Sequence, residues 1–137
     1  MYIFNLNYFN IILSSLIGMV IAAFWYSPSG FGKKWMELTN LKEKDIKAAQ
    51  KNGMTANYAA AFAALIIMNY ALSFITENML INSIQESVFL GLLIWLGFIA
   101  TTMLNMILWE FKSVELYTIN ASHYLVVLIV SAVIVGL

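Results

Sequence analysis

His123 is the only histidine in the chain, and Glu110 and Glu115 are the only carboxylates near it in sequence. An imidazole beside a carboxylate can pass a proton as acid and base. Nothing else that catalysis would need accompanies the pair. The chain has no glycine-rich phosphate loop, no GxSxG elbow, no His/Glu cluster at metal-ligand spacing and no cysteine. No catalytic residue, metal ligand or cofactor is therefore assigned. A second concentration of chemistry is aromatic: Trp25-Tyr26-Ser27-Pro28, then Phe31-Gly32-Lys33 and Trp35. Such residues anchor a helix end at a membrane border, yet these are more than one end requires and could roof a pocket. Together with Asn105, which lies one helical stretch before Glu110, the candidate ligand-binding set is Trp25, Tyr26, Trp35, Asn105, Glu110 and His123. The expectation is a polar cluster centred on His123, touching Asn105 or Glu110 and covered by the aromatic rings.

What must position these groups is four apolar runs, Asn7–Tyr26, Asn57–Ile75, Val88–Trp109 and Ile119–Leu137, of 19 to 22 residues each. At about 1.5 Å per residue each crosses a hydrocarbon layer about 30 Å thick. A soluble chain is about a quarter charged; this one is 10% charged and 62% hydrophobic, too apolar to cover a buried core with polar surface. The expected fold is all-α, an integral membrane four-helix bundle forming one domain over residues 1–137, with a loop at 27–55 that carries a short helix. The first run reads as a retained anchor, because the leader Met1–Asn10 has no positive charge and the run is longer than a signal core.

All seven lysines fall between runs one and two (Lys33, Lys34, Lys42, Lys44, Lys47, Lys51) or between runs three and four (Lys112). Basic residues stay on the cytoplasmic side, so loops one and three are expected in the cytoplasm and both termini outside. With zero net charge and no basic patch beyond the first loop, nothing points to nucleic acid, and the expected partners are membrane lipids and a second copy or a membrane protein.

Within loop one, Pro28 ends the first span, and Asn40 with Glu43 reads as a capping box opening a helix from about Leu41 to Lys51, stopped at Asn52-Gly53. Small residues recur at helix-packing intervals: Gly18 and Ala22 in span one, Ala60 and Ala64 in span two, Gly91 and Gly97 in span three. Gly91, Trp95, Phe98, Thr102, Asn105 and Trp109 follow a 4-3-4-3-4 spacing, a heptad-like seam that predicts span three at the bundle centre. Asn69 and Ser73, one turn apart in span two, predict an interhelical hydrogen bond.

The WYSP cluster at Trp25–Pro28 with Phe31-Gly32-Lys33 and Trp35, the third-span residues Gly91, Trp95, Gly97 and Phe98, and His123 resemble the bacterial membrane-protein family DUF1761. The resemblance covers nearly the whole chain. It implies a four-span fold and a bacterial inner-membrane location, and it carries no activity, substrate or catalytic residue. Where that family tends to show an acidic residue and then arginine after span three, this chain has Glu110 and Lys112. The residues favour a structural or partner- and lipid-binding protein that is not an enzyme. The alternatives are an oligomeric small-molecule transporter or channel, and a membrane enzyme with a His123/Glu110 site.

Overall fold

The computed structural model describes residues 1–137 and is entirely helical. Four helices are long and apolar enough to span a membrane: α1 (Tyr8–Trp25), α4 (Thr55–Asn78), α5 (Ile84–Leu108) and α6 (Val114–Val135). Two short helices, α2 (Gly32–Thr39) and α3 (Glu43–Asn52), fill the first loop. Isoleucine, leucine and valine at Ile12, Leu16, Val20, Ile67 and Leu93 point away from the bundle. A large outward apolar surface of this kind suits lipid rather than water.

Helix ends follow local chemistry. Asn7 caps α1 by accepting from the Asn10 N–H, Ser83 caps α5 through Glu86, and Ser113 caps α6 through Leu116. The first loop corrects an expectation. Asn40 does not open a helix; it ends α2 in the left-handed conformation at φ 59°, which asparagine tolerates. The capping interaction lies two residues on, where the Lys42 N–H donates to the Asp45 carboxylate at 2.9 Å. Gly53 ends α3 at φ 93°.

Helix α6, not span three, occupies the centre. It packs against α1, α4 and α5 and also meets α2. Its most apolar stretch is 39% buried, against 22% for each of the other three spans. Ala121, Val127, Leu128, Ser131 and Ala132 supply small or compact side chains on several of its faces, so neighbours approach from more than one side. At Gly91 the α5 backbone comes so near that an added Cβ would lie 3.0 Å from the Ile129 Cα and the Leu128 carbonyl oxygen.

The predicted seam along span three is broken by a π-helical turn at Trp95–Ala100. Before it the inward residues are Ser87, Gly91 and Trp95; beyond it they are Ala100, Met103 and Ile107. One step of that series is five residues instead of three or four. The extra residue turns the remainder of the helix by about 100° relative to a continuous α-helix. Phe98, 71% exposed, and Trp109, 74% exposed, therefore face outward, as do Thr102 and Asn105.

The end of the bundle away from the lysines holds an apolar core. Leu72, Leu90, Ala132 and Val135 form a buried apolar cluster from α4, α5 and α6. The N-terminal segment is strapped onto α4: Ile3 N–H donates to the Asn78 side chain at 2.8 Å, and Asn78 donates back to the Ile3 carbonyl at 3.0 Å.

Candidate functional site

The site begins at the end of α1. After Pro28 the chain doubles back tightly: Gly30 N–H donates to the Ser27 carbonyl at 3.0 Å and Phe31 N–H to the Trp25 carbonyl at 2.7 Å. A Cβ on Gly30 would sit 2.5 Å from the Phe24 carbonyl, and one on Gly32 would strike the Tyr26 carbonyl. Only glycine fits there. This turn folds Phe31 onto Trp25, with ring centroids 4.9 Å apart, and Trp35 edge-on to Tyr26 at 5.6 Å. Helix α2 is tied down by Lys34, whose ammonium lies 3.3 Å from Glu115 at the start of α6 and 3.6 Å from Glu37. The hydrogen bond to Glu115, and then the charges of Glu115 and Glu37, hold the Lys34 ammonium above its ordinary lysine range.

Against this aromatic layer stands His123, on α6 and 8% exposed. Its ring centroid is 5.3 Å from Tyr26, 6.1 Å from Trp25 and 5.0 Å from Tyr124. The polar atoms of the first two are already committed. Trp25 donates its indole N–H to the Ile119 carbonyl at 3.0 Å, and the Tyr26 hydroxyl donates to the Asn120 side chain at 2.8 Å. Both imidazole nitrogens are buried without a hydrogen-bond partner. Buried polar atoms are nearly always paired, so each exception asks for an explanation.

On its free side His123 lines a groove of about 290 Å³ between α1, α4 and α6, walled by Gly18, Met19, Ala22, Ala64, Leu65 and Val127 among others. Ala22 and Ala64 line this groove, and their short side chains leave its space open. Ala60 is exposed, and Gly97, in the π turn, has nothing within 4 Å of where its Cβ would be. Gly18 and Gly91 do mark close approaches, to Leu65 and to the α6 backbone.

Asn105 and Glu110 do not join the cluster. Both are exposed, and neither side chain hydrogen-bonds to His123. The pairing of α5 with α6 explains the separation. Gly91 lies against Leu128 and Ile129, Trp95 donates its indole N–H to the Ala121 carbonyl at 2.7 Å, and Tyr117 donates to the Ala100 carbonyl at 2.8 Å. His123 is thus level with the start of the π turn. Asn105 lies about ten residues further along, roughly 15 Å by helix rise, on a face the π turn has rotated outward. The structure unites Trp25, Tyr26, Trp35 and His123 and leaves out Asn105 and Glu110. It adds Tyr124, Met19 and Leu65, which carry no mark in the sequence.

A separate polar contact lies deeper. Asn69, fully buried, donates to the Ser15 hydroxyl at 3.0 Å, joining α4 to α1 as an interhelical bond. Ser15 in turn donates to the Ile11 carbonyl at 2.7 Å. No group of three or more His, Cys, Asp or Glu side chains converges on a possible metal position.

No curated protein and no solved structure matches this chain. A family model described as "Protein of unknown function (DUF1761)" matches residues 9–136. That match takes in the WYSP turn, the four long helices and His123, and the chain belongs to the DUF1761 family.

Proposed function

We propose that this chain is a binding protein of the bacterial cytoplasmic membrane that holds a lipid or lipid-like molecule beside His123 and catalyses no reaction. In this reading the lysine-bearing loops are cytoplasmic and both termini lie outside. The observation that carries it is the buried imidazole, with both nitrogens unpartnered, on the wall of an apolar groove. An ionisable side chain at membrane depth points to function by default, and a mostly apolar pocket with one convergent polar group is the usual form of a small-molecule site. A proton-transfer mechanism has no support, because no carboxylate stands beside the ring. Binding requires only what is there: an apolar wall, the Trp25 and Tyr26 rings fixed by their own hydrogen bonds, and an unpaired imidazole.

Native mass spectrometry of the chain released from bilayer nanodiscs tests this. A retained adduct of lipid mass is expected for the wild type and should be lost in Ala64→Leu, which fills the groove. Wild-type protein that flies only as the bare chain would overturn the reading. Alkaline phosphatase fused after Leu137 should be active, as an outside C-terminus requires; an inactive but stable fusion would reverse the orientation.

A further inference from the structure

The His123 groove does not end at its own walls. A second, wider groove of about 670 Å³ shares Met19, Ala22 and Ala61 with it and continues past Tyr26 and Tyr58 to Gln50. Both border α1 and the first half of α4, where α4 presents mainly alanines. No lysine, arginine, aspartate or glutamate lines either part. A phosphate, carboxylate or ammonium head placed beside His123 would lose its hydration without gaining a countercharge from the lining, a cost that disfavours charged heads there. A neutral imidazole offers one N–H donor and one nitrogen acceptor. Neither nitrogen has a partner within the chain, and both are covered by neighbouring side chains, so an incoming oxygen pairs with the ring by displacing part of the groove wall. Met19 and Met68 give the apolar wall adaptable, unbranched side chains that follow a flexible chain.

We propose, resting on the binding reading above, that the groove takes a single-tailed, uncharged amphiphile from the bilayer. The hydroxyl or carbonyl oxygen of its head hydrogen-bonds to the His123 imidazole, and its tail lies along Met19, Ala22 and Ala61. An alcohol-headed lipid and a quinone share this chemistry. The groove volume lies in the range that encloses one compact ligand, not a two-tailed phospholipid.

The full chain in phosphatidylcholine nanodiscs is unfolded thermally with four probes of equal tail length: monodecanoylglycerol, a decyl-substituted benzoquinone, decanoate and a decanoyl lysophosphatidylglycerol. One or both neutral probes should raise Tm by about 5 °C at saturation, and which of them does so identifies the head oxygen. The charged probes should leave Tm in place. The shift should vanish in His123→Leu and in Ala61→Leu, persist in His123→Gln, which keeps a donor and an acceptor, and leave each variant's probe-free Tm near wild type. A larger response to decanoate or the lysophospholipid, lost in His123→Leu, overturns the neutral class while binding at His123 stands. A neutral-probe response that survives both blocking variants overturns the site. No response to any probe, with no adduct in native mass spectrometry, overturns both this inference and the binding reading.

Discussion

The two ends of the bundle are built differently from the same apolar alphabet. Away from the lysines, Leu72, Leu90, Ala132 and Val135 close the core, and Gly136 brings α6 so near that an added Cβ would lie 2.7 Å from the Ser87 hydroxyl and 3.4 Å from Thr76. Toward the lysines, α1 and α4 face each other through alanines, the aromatic rings fill only the α1–α6 side, and a groove remains. The half away from the lysines holds the buried apolar cluster, while the other half keeps an unpaired imidazole beside its groove. Proteins commonly separate these tasks, because a binding site is bought with local stability.

The largest effect that would break this contrast lies at Gly91. Gly91→Leu forces a side chain into the α6 backbone and should cost about 1–3 kcal/mol or more, read as a lowered Tm in detergent. Gly97→Leu, in open space only six residues away, should stay within about 0.5 kcal/mol of wild type. Equal destabilisation by the two would mean that Gly97 also faces a neighbouring helix.

Asn69→Leu comes next. It removes the bond to Ser15, worth about 0.6–2 kcal/mol in a membrane interior, and its own unpartnered Oδ1 offsets part of that loss. His123→Leu should behave oppositely to an ordinary buried-polar deletion. No hydrogen bond is lost and two unsatisfied nitrogens disappear, so apo stability should hold or rise. A marked fall in Tm would show that the imidazole is bonded within the protein and would remove the case for a ligand.

The smallest effect concerns the Lys34–Glu115 tie. Both groups are well exposed, so Glu115→Gln should alter Tm at the edge of measurement, and the difference should fade in high salt. Since the lysine is held above its ordinary range in the folded state, the contribution is full below that range and is gone once pH has risen through the raised folded-state value. A contribution that instead grew at alkaline pH would place the tie elsewhere.

Four long apolar helices were legible because lipid imposes length and composition on any helix that crosses it. The end of the first span at Pro28 was legible too, though not the tight reversal through Gly30 and Gly32 that folds the aromatics together. The interior order was not. A 4-3-4-3-4 spacing assumes an unbroken α-helix, and one inserted residue at Trp95–Ala100 moved Asn105 from the predicted seam to the outside. A trace of this was present, since stepping from Trp95 to Ala100, Met103 and Ile107 makes the inward face wholly apolar where the seam had Thr102 and Asn105. Glu110 was placed near His123 by loop length alone, which brings helix ends together but says nothing about depth along them.

The two indole bonds to α6 have an optical consequence. Trp25 and Trp95 donate to carbonyls two residues apart, about 200° around the helix, and so grip α6 from nearly opposite sides at the level of His123. Trp35 completes the aromatic layer, while Trp109 alone points outward. In a Trp109→Phe background, Trp25 and Trp35 lie in the aromatic layer around His123, and Trp95 is held to the far side of α6. Intrinsic emission from that protein becomes a built-in gauge of the groove, and a quinone entering it would darken the signal without any added label.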